Sequence, residues 1–177
     1  MNMLLSKYKE EIDRIQAKYP AEQRRSAVMP LLFLAQRKEG YVSPQSIAEI
    51  ASILDITSTE VTSIVGFYTL FHEEPGGRFR IQVCNDVACA LRGADDFLAQ
   101  LCSYLGVKPG ETTADGLFTV EAVMCLASCH TAPMFQVQGD GRITYHDHQT
   151  LETAKAFIEE KRRQFRPTEQ PTKEADA

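Results

Sequence analysis

Four of the five cysteines in this sequence occur as two close pairs, and their thiols have the clearest chemistry in the chain. Four residues separate Cys84 from Cys89, three separate Cys125 from Cys129, and thirty-five lie between the pairs. Thiolate sulfur is a soft ligand that selects zinc, copper(I) or iron with sulfide. Zinc sites use ligand pairs about two to four residues apart, so the spacing does not exclude zinc. The longer gaps favour a [2Fe-2S] cluster, in which each iron takes two cysteines.

Each cysteine pair follows a segment that predicts a β-strand. Apolar residues alternate over residues 78–83, and residues 117–124 are rich in β-branched and aromatic types. A helix is predicted between them over residues 88–105. Two strands joined by a helical crossover lie parallel and end at the same edge of a sheet, where ligands of open α/β sheets gather. We therefore expect four thiols to converge there on one centre.

The rest of the second half predicts a small mixed sheet. Residues 134–137 and 142–145 flank a turn at residues 139–141 and indicate an antiparallel hairpin, and a last helix runs to about Arg163. The predicted order is β-α-β-β-β-α, a thioredoxin-like order. The central helix has an apolar face, is stopped by Gly106 and carries four residues predicted to point inward: Phe97, Leu98, Leu101 and Leu105.

The first half predicts a helical bundle. Helices are expected over residues 4–19, over residues 21–38 with a turn or kink at Pro30, from Ser43 onward, and from a capping box at Thr57 to about Val65. Polar and glycine-rich residues 73–77 form a linker. The predicted domains are thus residues 1–75 and 76–165, followed by a disordered tail over residues 166–177.

Composition excludes several classes of partner and compartment. The 177 residues carry a net charge of −5, and no basic stripe suited to nucleic acid is visible. The N-terminus becomes charged too early for a signal peptide, and no segment approaches the ~18 apolar residues of a membrane-spanning helix. We expect a cytoplasmic protein that meets a membrane only as part of a complex. Cytoplasmic thiols stay reduced, which disfavours two disulfides.

A longer motif gives a resemblance to a known family. Cys84-x4-Cys89-Ala90-Leu91-Arg92-Gly93-Ala94, then Cys125-Leu126-x2-Cys129 and Ala132-Pro133, is similar to the E-type, thioredoxin-like [2Fe-2S] ferredoxin component of NADH:quinone oxidoreductase, respiratory complex I. The resemblance implies an α+β or α/β architecture, with a helical bundle before a thioredoxin-like domain. It also implies one [2Fe-2S] cluster held by Cys84, Cys89, Cys125 and Cys129.

The same resemblance implies an electron-transfer subunit that forms a heterodimer with a flavin- and NADH-binding subunit in a larger respiratory complex. FMN and NADH would bind the partner, because this chain has neither a G-x-G-x-x-G nor a Walker loop, and no independent catalytic site is expected. Such a complex would place the chain on the cytoplasmic side of the inner membrane. The alternatives within the family are an NAD-linked hydrogenase and a formate dehydrogenase.

Two alternatives lie outside the family. One is a structural zinc module for assembly. The other is a thiol-disulfide enzyme, which the absence of Cys-x-x-Cys disfavours.

Other residues near the cysteines are weaker candidates for a role at the site. Cys102 is predicted to be a small core residue of the helix, and His130 is an unfavoured substitute ligand. Arg92 is predicted to pair with Asp95 or Asp96, or to lie near the negative centre. The amides that begin the helix, over residues 87–90, are expected to stabilise that negative charge. The aromatic segment of residues 66–72 is interpreted as packing the helical bundle against the next domain, with a docking surface for a partner subunit as the alternative.

Overall fold

The chain forms two compact units, Met1–Arg78 and Phe79–Ala177. The computed structural model describes the backbone of residues 3–165 and the side chains of residues 7–165. The predicted disordered tail lies outside the described residues.

The first unit consists of four α-helices and one 3-10 segment. The helices are α1 (Met3–Gln16), α2 (Val28–Glu39), α3 (Pro44–Leu54) and α4 (Ser58–Phe67), and the 3-10 segment is Ala21–Ala27. The prediction of one helix over residues 21–38 is wrong at its start. Pro30 is the third residue of α2, where a missing N–H costs no helical hydrogen bond, so the change of helix type precedes the proline.

Local capping chemistry sets the helix ends in this unit. Gly40 ends α2 with φ of 84°, a left-handed conformation that glycine adopts without a Cβ penalty. Ser43 caps α3 through its side chain, which accepts a hydrogen bond from the Ser46 amide. Thr57 and Glu60 form the predicted capping box at the start of α4. The predicted caps are therefore confirmed.

The aromatic segment at the end of α4 is only partly a packing element. Phe71 is buried, and its ring centroid lies 4.8 Å from that of Phe33. In contrast, Phe67 is 77% exposed and Tyr68 is 43% exposed, with their rings edge to face. Phe71 therefore packs within the first unit, and the interpretation that the segment packs the bundle against the next domain stays a prediction.

The second unit is built on a four-stranded mixed sheet. Its elements are β1 (Phe79–Cys84), α5 (Val87–Ala90), α6 (Ala94–Leu105), β2 (Phe118–Val123), a 3-10 turn (Cys129–Thr131), β3 (Phe135–Gly139), β4 (Arg142–His146) and α7 (Leu151–Phe165). The strand order is β2-β1-β3-β4; β1 is parallel to β2 and antiparallel to β3, and β3 pairs with β4 as the predicted hairpin. The predicted α+β class and the parallel pair are confirmed.

The helix predicted over residues 88–105 is divided. Gly93 has φ of 88° and separates α5 from α6, a conformation that interrupts a right-handed helix. The four residues predicted to point inward are all buried, and so is Cys102. They pack with apolar residues of β1, β2 and β3 and of α7 to form the core of this unit.

A chain of polar contacts fixes the alignment of the two parallel strands. Gln82 is paired with Glu121 in the register of β1 and β2, and its amide nitrogen donates to Glu121 Oε2 at 2.9 Å. Arg80 Nη1 donates to Glu121 Oε1 at 2.6 Å, and the amide nitrogen of Gln136 on β3 donates to Gln82 Oε1 at 2.7 Å. These side chains are largely buried, so a register slip would leave polar groups unsatisfied. The register in turn sets where the cysteine loops begin.

Candidate metal centre

Both cysteine loops leave the sheet from the same edge. Cys84 is the last residue of β1 and lies beside Val123, the last residue of β2, in the parallel register. The Asn85 amide donates to the Val123 carbonyl at 3.1 Å, which joins the two loops at their starts. Cys125 follows two residues after Val123. The predicted shared edge is therefore present, with a cysteine pair on each loop.

The first cysteine pair is buried. Cys84 and Cys89 are each 1% exposed, and Cys84 ends β1, which is a central strand of the sheet. They belong to a small apolar cluster that is separate from the main core of the unit. The other buried residues of this small cluster are Ala94, Ala132 and Met134. A thiol in such surroundings is shielded from solvent and from exogenous ligands.

The second cysteine pair is more accessible. Cys125 is exposed and Cys129 is half-buried. They follow β2, which is an edge strand, so this loop has fewer neighbouring elements to cover it. All five cysteines are free thiols.

Thiols of one pair contribute to the raised pKa values of the other pair. Burial, followed by the neighbouring thiols of Cys84 and Cys129, raises the pKa of Cys89 to about 12. The pKa of Cys129 is raised, first by a hydrogen bond with Cys125 and then by burial and by the charges of Cys125 and Cys84. Each pair therefore lies within reach of the other. Binding a cation here would release protons and relieve the repulsion between thiolates.

One backbone amide is directed at a sulfur. The Ala127 amide donates to Cys125 Sγ at 3.3 Å, and Ala127 has φ of 58°, which is unusual for a residue other than glycine. A backbone amide that donates to a sulfur offsets the negative charge that the sulfur would carry as a metal ligand. No signal in the sequence marks Ala127, since asparagine or glycine is more typical of this conformation.

The amides expected to stabilise the centre are used elsewhere. Asp86 caps α5: its carboxylate accepts from the Val87 amide at 2.8 Å, and its carbonyl accepts from the amides of Cys89 and Ala90 at 2.8 and 2.9 Å. Three of the four amides therefore already have an acceptor on Asp86, and stabilisation of a bound centre by this helix start stays a prediction.

Arg92 connects the two loops through a contact that was not predicted. Its Nε donates to the carbonyl of Ala132 at 3.1 Å, so the guanidinium joins the segment after Cys89 to the segment after Cys129. Asp95, one of its two predicted partners, accepts instead from Asn85 Nδ2 at 3.5 Å. The Ala132-Pro133 bond is cis, and His130 is exposed.

The donor set fits an iron–sulfur cluster. Four soft sulfur donors lie in two pairs on loops that leave one sheet edge, an arrangement that suits two irons with two cysteines each. Among the side chains that the structure describes, residues 7–165, no group of three or more His, Cys, Asp or Glu residues is placed so that it could hold a metal ion.

The fold and the four thiols define a class of protein: a thioredoxin-like domain with a cysteine-rich centre at one edge of its sheet. The family model of the thioredoxin-like [2Fe-2S] ferredoxins matches residues 12–162. The chain belongs to this family. Membership implies an iron–sulfur cluster.

Relatives and a solved structure agree with this assignment. An E-type component of NADH-quinone oxidoreductase from Rhizobium meliloti is 41% identical over 164 residues, which cover 93% of this chain and 92% of the relative. NADH-quinone oxidoreductase subunit 2 of Thermus thermophilus is 47% identical over 124 residues, covering 70% and 68%. An NAD+-reducing [NiFe]-hydrogenase shares the fold, with a TM-score of 0.63 and 23% identity over 79% of this chain and 24% of that chain.

No helix within residues 3–165 is both long enough and apolar enough to cross a membrane.

Proposed function

We propose that this chain is an electron-transfer subunit of an NADH:quinone oxidoreductase, with Cys84, Cys89, Cys125 and Cys129 holding one [2Fe-2S] cluster. The observation that carries the proposal is the meeting of two cysteine pairs at the ends of two parallel strands. The names of the relatives support the parent complex, since both are subunits of NADH-quinone oxidoreductase. The bound cluster would supply one-electron transfer.

The chain's own residues have separate roles in this proposal. Cys84 and Cys89 anchor the centre on its buried side, and Cys125 and Cys129 complete it on the accessible side. Arg92 holds the loops together, and the Ala127 amide stabilises negative charge on Cys125. Residues 76–165 form the redox domain, and residues 1–75 form a helical domain without redox chemistry.

The surface around the thiols supports docking of a partner at this edge. Val87, Leu91 and Met124 are 71%, 84% and 78% exposed, and each lies within two residues of one of the four cysteines. Apolar side chains so open to solvent are typical of interaction sites when they are grouped. We propose that the flavin- and NADH-binding subunit covers them, because its flavin must approach the centre for electron transfer.

The exposed aromatic pair of the first unit gives this partner a second contact. Phe67 and Tyr68 stack edge to face at the end of α4, and aromatic residues are enriched in protein interfaces. The complex would place the chain at the cytoplasmic side of the inner membrane without a spanning segment of its own. FMN and NADH belong to the partner in this proposal.

Reduction by NADH tests the proposal. The isolated chain, purified without oxygen, should contain iron and sulfide, and its visible absorption should stay unchanged when NADH is added. The same absorption should bleach when NADH and catalytic amounts of the flavoprotein that co-purifies with the chain are added together. Bleaching by NADH alone would contradict the assignment of NADH binding to the partner. Absence of iron from the isolated chain would contradict the cluster itself. The substrate of the co-purifying complex distinguishes a quinone reductase from a hydrogenase or a formate dehydrogenase.

A further inference from the structure

Side-chain hydrogen bonds join the accessible cysteine loop to the segment that precedes α7. Thr131, two residues after Cys129, is 6% exposed, and its Oγ1 lies 2.8 Å from Asp147 Oδ1 and 2.9 Å from Ser128 Oγ. Thr131 Oγ1 also lies 3.0 Å from the Ser128 carbonyl. Ser128, Thr131 and Asp147 therefore form one continuous network.

The protons of this network can be assigned. A threonine hydroxyl has one proton, and an ionised carboxylate can only accept. The shortest contact of Thr131 is with Asp147, so Thr131 donates to the carboxylate. The Ser128 hydroxyl then donates to Thr131 Oγ1. The charge of Asp147 thus orients two hydroxyls in the turn that contains Cys129.

Backbone bonds reinforce the same connection. The His148 amide donates to the Thr131 carbonyl at 2.7 Å, and the Gln149 amide donates to the Pro133 carbonyl at 2.7 Å. His148 has φ of 50°, which is uncommon for a residue with a side chain. The segment 147–149 therefore holds an unfavourable conformation while making these contacts.

We propose that Thr131 and Asp147 are positioning residues that hold the loop of Cys125 and Cys129 in the geometry needed to bind the group held by the four thiols. This inference rests on the proposed function. The loop follows an edge strand and is half-open to solvent, so the burial that fixes Cys84 and Cys89 is not available to it. The hydrogen bonds among Ser128, Thr131 and Asp147 hold the loop instead, because they join it to the segment before α7.

Paired substitutions separate the effect of losing the hydrogen bond from the effects of changing side-chain volume and charge. Thr131→Val keeps the shape of the side chain but removes the hydroxyl, whereas Thr131→Ser keeps the hydroxyl. Asp147→Ala removes the acceptor, and Asp147→Asn keeps an acceptor oxygen without the charge. The measurement is the rate at which the visible absorption of the anaerobically purified full chain disappears in the presence of a chelator.

The expected result is a roughly tenfold faster loss in Thr131→Val and Asp147→Ala, since each lacks the part-buried hydrogen bond between the Thr131 hydroxyl and the exposed Asp147 carboxylate. Thr131→Ser should return the rate to that of the parent chain. Asp147→Asn should lie between the parent chain and Asp147→Ala. The electron paramagnetic resonance signal of the reduced protein should broaden in Thr131→Val and recover in Thr131→Ser.

A second threonine–aspartate pair gives the control. Thr113 is 5% exposed, and its hydroxyl donates to Asp115 Oδ1 at 2.5 Å. It also accepts from the amide of Phe118, the first residue of β2, whereas the cysteine loop follows the last residue of that strand. Thr113→Val should lower the thermal unfolding temperature without changing the rate of absorption loss.

The inference is overturned when Thr131→Val retains its absorption as long as the parent chain. It is also overturned when Thr113→Val accelerates the loss equally, since the effect would then be general destabilisation. Neither result would touch the proposed function, which fails separately if the parent chain holds no iron and sulfide.

Discussion

The two cysteine loops leave the same sheet edge but are stabilised in different ways. Cys84 and Cys89 follow a central strand and are almost completely buried, whereas Cys125 and Cys129 follow an edge strand and face solvent in part. Burial fixes the first pair, and hydrogen bonds from Ala127 and from the Thr131–Asp147 pair accompany the second. In this protein, the loop after the central strand is held by packing, and the loop after the edge strand has polar contacts instead.

Substitution of a buried cysteine should cause the largest loss of iron and therefore give the strongest test of the difference between the loops. In Cys84→Ser or Cys89→Ser the replaced sulfur lies in an apolar cluster that solvent does not reach, so no water can complete the ligand set. We expect iron content and visible absorption to fall to background. The measurement is iron analysis together with the absorption spectrum of the anaerobically purified variants.

Cys102→Ser is the matched control for that loss. Cys102 is 6% exposed in the main core of the same unit and is not part of the apolar cluster around Cys84. Its spectrum should equal that of the parent chain. A loss of absorption in Cys102→Ser would show that the ligand assignment is wrong.

Substitution of the exposed cysteine should have a smaller effect. The serine hydroxyl is present in all three variants, but only at Cys125 can a water molecule also approach from solvent and help to complete the ligand set, because this position is open. We expect partial iron content, between background and the parent level, and an altered visible spectrum. Equal and complete loss in Cys84→Ser and Cys125→Ser would contradict the difference between the loops.

Alkylation rates in the metal-free chain sharpen the same contrast. A thiolate is the reactive form, so the buried Cys89, whose pKa is raised to about 12, should react slowest, and the exposed Cys125 fastest. Because its pKa is raised, the thiolate fraction of Cys89 should still grow about tenfold per pH unit well past pH 9. The thiolate fraction of an ordinary thiol, whose pKa is ~8.5, levels off above that pKa. Peptide mapping by mass spectrometry after iodoacetamide treatment measures both effects.

Protection of Cys102 in that experiment reports that the metal-free chain is folded. Its pKa is raised, first by burial and then by the charge of Glu111. Rapid labelling of Cys89 while Cys102 stays protected would contradict the buried environment of the first loop.

The smallest effect is expected at Ala127. Glycine adopts its positive φ without a Cβ penalty, so Ala127→Gly should keep the amide contact to Cys125 and change the stability of unfolding by less than about 1 kcal/mol. Ala127→Val should instead be destabilising by about 1–2 kcal/mol and should shed iron faster, since a β-branched residue resists this conformation. Chemical denaturation and iron release measure the two variants. Equal behaviour of both would show that the loop is not held in this conformation in solution.

The features that the sequence predicted correctly are those that depend on residues close together in the chain. The alternation before Cys84 and the apolar run before Cys125 predicted two parallel strands with a shared edge, and these are present. Capping residues such as Ser43 and Thr57 set helix starts through their own side chains, so the sequence pattern was sufficient. The parallel pairing of the strands then followed from the helical crossover that joins them.

Contacts between distant segments did not follow from the sequence. Arg92 was expected to pair with an aspartate one turn away, yet its Nε reaches a carbonyl forty residues later. Thr131 and Asp147 are sixteen residues apart and carry no motif. The division of the predicted helix at Gly93 and the use of the α5 amides by Asp86 depend on backbone geometry that residue type alone does not determine. Such contacts depend on the tertiary fold.

Iron and acid-labile sulfide analysis of the chain purified without oxygen tests the central claim most directly. A [2Fe-2S] centre on the four thiols predicts two irons and two sulfides per chain, with a paramagnetic signal that appears on reduction by dithionite. A colourless protein that holds one zinc ion and no sulfide would contradict it.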